Sequence, residues 1–250
     1  MSGHSKWSQI KRAKGVADAR RGQLFTRVGR EIALAARQGA DPQANFHLRL
    51  AVQKAMDSRM PQENIERAIK RGAGGGEATR LMSITFEGYG PQGVAILVET
   101  LTDNRNRTVQ DVRTTFARSG GNLGESGCVS WLFEPRGVIN IDVPQETGEG
   151  LALKAIDAGA EDVKVDEHFI EVFTRPHDLE KVRRALENEH PIASADVSLV
   201  PKTMLPLSGE AAQGTLRLLD RLEELADVQR IYSNADFSEE ALELYRGSLS

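Results

Sequence analysis

The stretch GVINIDVPQETGEGLALKAIDAGAEDVKVDEHFIEVFTRPHDLEKVRRALENEHPIASADVSLV, residues 137–200, decides the architecture of this chain. Residues 138–143 read as a strand, and residues 151–158 as a helix closed by Gly159. Residues 162–165 and 169–174 read as two strands around Asp166-Glu167-His168. A helix over 178–189 and a strand over 195–200 complete the unit. The order β-α-β-β-α-β is the split-βαβ, ferredoxin-like arrangement. It is assigned to residues 136–204.

Outward from this unit, residues 83–87 and 94–101 predict a β-hairpin joined through Gly88-Tyr89-Gly90-Pro91-Gln92-Gly93. Residues 108–119 predict a helix with Val109, Val112 and Phe116 on one face. Thr108 and Asp111 form a weak capping box there, and Gly120-Gly121 ends the helix. Residues 128–133 predict a strand, with Cys128 in it as a small buried hydrophobe. This β-β-α-β run lacks a second helix and its strand. Residues 210–225, with Leu216, Leu219, Leu222 and Leu225, and residues 228–233 supply them. The expectation is a discontinuous middle domain, residues 77–135 plus 205–240, with the ferredoxin-like unit inserted in it.

Before the hairpin the pattern is helical. Val28, Ile32 and Ala35/Ala36 recur from Thr26, with Gly39 as the C′ residue. Asp41-Pro42 reads as the N-cap and first position of a second helix carrying Leu48, Val52, Ala55 and Met56. Pro61 opens a third, with Ile65 and Ile69, ended by Gly72, and Ala73-Gly74-Gly75-Gly76 reads as a linker. Residues 1–76 are therefore a basic arm and a three-helix module. The fold class is α+β: that arm and module, then two α/β-sandwich-type domains, one ferredoxin-like and inserted into the other.

Charge is segregated along this plan. Residues 1–80 hold sixteen Lys/Arg against seven acids, a net +9. The whole chain carries −4, so residues 81–250 carry −13. Residues 1–30 have eight cations against Asp18 alone, a net +7. A basic module on an acidic body is the electrostatic footprint of polyanion binding, nucleic acid first. Lys6, Lys11, Arg12, Lys14, Arg20, Arg21, Arg27 and Arg30 are the candidate phosphate contacts, and Trp7 offers a face for stacking on a base or sugar.

A second candidate is Asp103-Asn104-Arg105-Asn106-Arg107-Thr108. Arg105 and Arg107 sit where the helix dipole is already positive, which is unfavourable unless an anion docks between them. The alternative is that Asp103 and neighbouring acids pair with them. The glycines of Gly88-Tyr89-Gly90-Pro91 and Gly120-Gly121-Asn122-Leu123-Gly124 either approach a phosphate backbone or serve turns with positive φ.

Other chemistry is unsupported. One cysteine excludes an internal disulfide and suits a reducing cytoplasm. His4, His47, His168, His177 and His190 are scattered without metal-ligand spacing. No G-x-S-x-G, P-loop or dinucleotide fingerprint is present. No apolar run approaches a membrane span, and the start has no signal-peptide h-region. The expectation is no metal, no cofactor and no membrane partner.

Gly3-His4-Ser5-Lys6-Trp7, Glu87-Gly88-Tyr89-Gly90-Pro91, Thr102-Asp103-Asn104-Arg105-Asn106-Arg107-Thr108 and Gly120-Gly121-Asn122-Leu123-Gly124 together resemble the YebC/PmpR family. That family includes the mitochondrial translational activator of cytochrome c oxidase subunit I. Met60-Pro61-Gln62-Glu63-Asn64-Ile65-Glu66-Arg67-Ala68-Ile69 resembles it too. The resemblance implies a three-domain, cytoplasmic protein that is not an enzyme, and the expected oligomeric state is a monomer. It implies a DNA-binding transcriptional regulator or, alternatively, a translation factor at the ribosome that binds ribosomal RNA and relieves stalling on proline-rich chains. A third reading is an enzyme of unknown reaction in an inter-domain cleft.

Overall fold

The structure is a computed structural model of the 250-residue chain, and it describes residues 18–74, 81–166 and 168–247. Two compact units divide the chain: residues 131–204, and the described parts of residues 3–130 with 205–250.

The larger unit opens with helices α1 (Asp18–Ala36), α2 (Phe46–Asp57) and α3 (Gln62–Ala73). Val28, Ile32, Leu48, Ala55, Ile65 and Ala68 form their common core, at the helical spacings read from the sequence. Helix α1 starts well before Thr26, inside the basic segment. The N-cap of α2 is Asn45, not Asp41. Asn45 Oδ1 accepts the Leu48 N–H at 3.1 Å, while its amide donates to the Ala35 and Gly39 carbonyls at 2.8 Å each. One side chain thus ends α1 and starts α2, which a local capping rule cannot foresee. Asp41 instead closes an Asx turn on the Gln43 N–H at 2.9 Å. Gly72 does not end α3. It lies buried within it, where a Cβ would collide with the Ala33 carbonyl and stand 2.7 Å from Ala36 Cβ. The glycine permits the close crossing of α3 on α1.

The remaining elements follow in chain order: β1 (Met82–Tyr89), β2 (Ala95–Thr102), α4 (Arg105–Arg118), β3 (Asn122–Leu123), β4 (Phe133–Asp142), α5 (Gln145–Ala158), β5 (Asp162–Val165), β6 (Phe169–Thr174), α6 (Leu179–Glu187), β7 (Ser194–Pro201), β8 (Leu205–Leu207), α7 (Gly209–Glu224), β9 (Val228–Ser233), β10 (Ala235–Phe237) and α8 (Glu239–Gly247).

In the larger unit the sheet runs β3-β1-β2-β9, antiparallel throughout. Val112 and Phe116 of α4 and Leu216, Leu219 and Leu222 of α7 pack with Ile96, Val98 and Ile231 of the sheet. The late helix α7 and strand β9 thus pack with this sheet. Two features differ from expectation. The third strand is Asn122–Leu123, not residues 128–133. There the Glu87 carboxylate takes the N–H groups of Gly127, Val129 and Ser130 at 2.7, 2.8 and 2.8 Å, and Gly127 has φ +92, so residues 127–132 turn instead of pairing and only Phe133, the first residue of β4, is in a strand. Cys128 lies in that turn, half-buried. The sequence reading also missed β8, β10 and α8. Strands β8 and β10 pair in parallel, and Leu207, Phe237, Ala241, Leu242 and Tyr245 complete the core.

The smaller unit is the ferredoxin-like one. Its sheet order is β5-β6-β4-β7, every pair antiparallel, with β6 between the two strands that α5 connects. Ile139, Ile141, Leu151, Ile170, Val172, Val182 and Leu186 form its core. Gly159 ends α5 in the left-handed conformation, φ +109, as its position predicts. Among the described residues no helix is long and apolar enough to cross a membrane.

Candidate nucleic-acid interface

Lys6, Trp7, Lys11, Arg12 and Lys14 lie outside the described residues. Arg20 and Arg21 fall in the first turn of α1. Further along α1, Arg27 is half-buried beside Glu31. Burial pushes its pKa below the ordinary arginine value, Glu31 opposes that, and its Nε has no hydrogen-bond partner. Glu31 itself holds Lys54, with both carboxylate oxygens 2.8 Å from Nζ.

Arg30 and Arg107, distant in sequence, meet on one carboxylate. Arg30 Nη1 donates to Asp227 Oδ1 at 2.8 Å and to the Ala226 carbonyl at 2.7 Å. Arg107 Nη2 donates to Asp227 Oδ2 at 2.8 Å and to Asp103 Oδ1 at 2.9 Å. Thr108 and Thr102 hydroxyls add bonds to Oδ2 at 2.7 and 3.1 Å. Asp227 is only 5% exposed. Burial alone would raise its pKa. Hydrogen bonds from Arg107 and Thr108 and the charges of both arginines outweigh that, so it titrates below the ordinary aspartate value. Arg107 is correspondingly raised, first by its bond to Asp227 and then by Asp103.

Helix α4 begins at Arg105, not at Thr108. Its N-cap is Asn104, whose Oδ1 accepts the Arg107 N–H at 3.1 Å. Thr108 turns inward to Asp227. The two arginines of the motif therefore part company. Arg107 is engaged by two carboxylates, the pairing alternative given for it above, while Arg105 is exposed. Among the described residues, Arg105 and Arg113 have no ion-pair partner. With Asn106, Val109, Gln110 and Thr114 they line a shallow depression along α4.

The motif glycines make close approaches to protein. A Cβ on Gly88 would stand 2.7 Å from the Asn122 carbonyl, on Gly121 2.5 Å from the Tyr89 carbonyl, and on Gly124 2.5 Å from Cys128 Sγ. Gly120, at φ +76, meets the turn requirement. These glycines hold β3 and its loop against β1. Glu87, 6% exposed, completes that packing; burial alone would raise its pKa, but the backbone N–H bonds of Gly127, Val129 and Ser130 and a bond from the Ser130 side chain together outweigh it and hold the carboxyl below the ordinary value. Among the described residues no group of three or more His, Cys, Asp or Glu could hold a metal ion.

Asp227 is the residue that the sequence reading missed. The available signal was one acid of an acidic stretch, Asp220 to Asp227, standing just before a strand, and topology alone brings it to the arginines.

Two family models match the chain: "TACO1/YebC protein N-terminal domain" over residues 5–75 and "TACO1/YebC second and third domain" over residues 81–235. A protein of Dehalococcoides mccartyi named "Probable transcriptional regulatory protein" is 56% identical over 247 residues, spanning 98% of each chain. A protein of the same name from Trichlorobacter lovleyi is 49% identical over 245 residues, 97% of this chain and 99% of that one. The crystal structure of a conserved hypothetical protein from Aquifex aeolicus superposes with a TM-score of 0.80 at 44% identity, covering 89% of this chain and 93% of that one. Full-length identity at this level, together with both domain matches, establishes that the chain belongs to the TACO1/YebC family.

Proposed function

We propose that this chain is a nucleic-acid-binding regulator of gene expression, acting on DNA in transcription, with no catalytic step of its own. The observation that supports this most is the segregation of charge: +9 over residues 1–80 against −13 over the rest. Lys6, Lys11, Arg12, Lys14, Arg20 and Arg21 supply phosphate contacts that are independent of sequence, and Trp7 supplies a stacking surface. Arg30, engaged by Asp227, adds to the local potential and anchors α1. The acidic body limits where on the molecule a polyanion can sit. The name carried by the relatives, a transcriptional regulatory protein, agrees with this reading. In it the protein works as a cytoplasmic monomer with neither cofactor nor metal.

A second reading, a translation factor that binds ribosomal RNA, is favoured by one feature. A long basic arm with a single aromatic suits threading into structured RNA. Genome-wide DNA crosslinking and ribosome co-sedimentation of the same tagged protein separate the two. Discrete DNA peaks with no ribosomal enrichment are expected. Ribosomal enrichment with no DNA peaks would transfer the function to translation, and neither signal would overturn nucleic-acid binding.

A further inference from the structure

We infer that the flank of α4 bearing Arg105, Asn106, Gln110 and Arg113 reads base edges in the major groove of duplex DNA. This rests on the nucleic-acid reading above and adds a surface, a groove and a class of contact to it.

Chemistry is the first ground. Arginine pairs two donors with guanine O6 and N7, and asparagine and glutamine pair bidentately with adenine N6 and N7. These residue types are the base-reading ones, and they gather on one helix. Recognition helices meet base edges through their N-terminal turns, where Arg105, Asn106 and Gln110 stand. Arg113 extends the row by about 12 Å along the axis from Arg105.

Geometry is the second. All four side chains line the same depression. Behind them Thr108, Val112 and Phe116 are buried, so the sheet fixes the helix and presents the flank as a rigid edge. The sole acid of α4, Asp111, falls on the other flank at 100° per residue.

Electrostatics is the third. Four arginines against Asp111 give α4 a net +3 inside a segment that carries −13. Asp227 and Asp103 neutralise Arg107, but Arg105 and Arg113 stay unpaired among the described residues. An anionic, acceptor-rich groove removes that uncompensated charge. Helix α3 makes the contrast. It follows α2 after a four-residue turn, as a recognition helix would, yet four polar side chains of its first two turns pair with one another. Arg67 bonds Glu63 at 2.7 Å, and Gln62 bonds Glu66 at 3.0 Å.

Placement is the fourth. Because Arg107 and Arg30 share Asp227, the first turn of α4 lies beside α1, the helix that continues from the basic arm. A duplex read by α4 therefore lies beside α1, whose Arg30 adds positive potential there. The A-form major groove of RNA is too deep and narrow for side chains to read, which commits the occupant to DNA.

The test selects duplexes from a random-core pool with the full-length chain. It then measures affinity for selected and unselected duplexes in three variants. Asn106→Ala/Gln110→Ala should lower the selected-to-unselected affinity ratio about tenfold, leaving unselected binding nearly unchanged. Arg105→Gln/Arg113→Gln should lower both affinities and the ratio. Arg67→Gln on α3 should leave the ratio intact. Circular dichroism of each variant confirms that α4, changed only at exposed positions, still folds. Duplex binding without any selected sequence, selection unaffected by the α4 variants, or binding to RNA alone would each overturn the inference and leave nucleic-acid binding standing. Binding to neither DNA nor RNA would remove the underlying reading as well.

Discussion

Arg30 of α1 and Arg107 of α4 hold the two oxygens of a single carboxylate, Asp227, each at 2.8 Å. This joins the helical module to the middle sheet within the larger unit, and it turns two cations predicted as ligand contacts into partners of one buried acid. Asp227→Asn should destabilise the unit by about 2–3 kcal/mol, below the 3–5 typical of a fully buried pair because Arg107 is half exposed. Arg107→Gln should cost less, about 1 kcal/mol, since Arg30 still compensates Asp227. Chemical denaturation measures both, and an Asp227→Asn chain of unchanged midpoint would show that the carboxylate is not structural.

The buried carboxylates set the acid limb of stability. Asp227 and Glu87 both have folded pKa values below their ordinary ones. Their contribution is therefore complete above the unfolded values near pH 4 and is lost as pH falls through the lower folded values. Each adds up to about 1.4 kcal/mol per pH unit to the slope in that window. Glu87→Gln should lower stability at pH 7 by about 2 kcal/mol through its three backbone bonds and make the acid limb shallower. Unfolding midpoints followed from pH 7 to pH 3 check this. Parallel curves for the two chains would count against it.

Gly72 offers a test by sign. In an ordinary helix interior, replacing glycine by alanine stabilises by about 0.5–1 kcal/mol. Here the added methyl meets the Ala33 carbonyl and Ala36 across the α1–α3 crossing, so Gly72→Ala should destabilise by about 1–3 kcal/mol. A stabilised variant would mean that the crossing is looser than described.

Much of this fold is legible in the sequence because the periodicities are local. The alternation and helical spacing of residues 137–200 were enough to order the ferredoxin-like unit, and the leucines of α7 marked the helix that packs on the sheet of the larger unit. What local pattern could not supply were features settled by distant partners. Asn45 caps α2 because it also reaches α1. Gly72 looked like a helix end and is a contact between helices. Residues 128–133 have strand composition, but Glu87, forty residues away from Gly127, takes their N–H groups. The candidate site divides the same way. Arg105 stayed an exposed cation, whereas the role of Arg107 depended on Asp227, which the chain brings to it only through the late strand β9.

The central claim is that the basic N-terminal segment drives binding, and salt tests it most directly. Removing residues 2–17 deletes Lys6, Lys11, Arg12 and Lys14 and leaves every described residue in place. Each lost phosphate contact should flatten the slope of log affinity against log salt by about 0.9 on duplex DNA, so the truncated chain should bind more weakly with a slope shallower by about 3–4. Equal affinity and equal slope for the full and truncated chains would contradict the account.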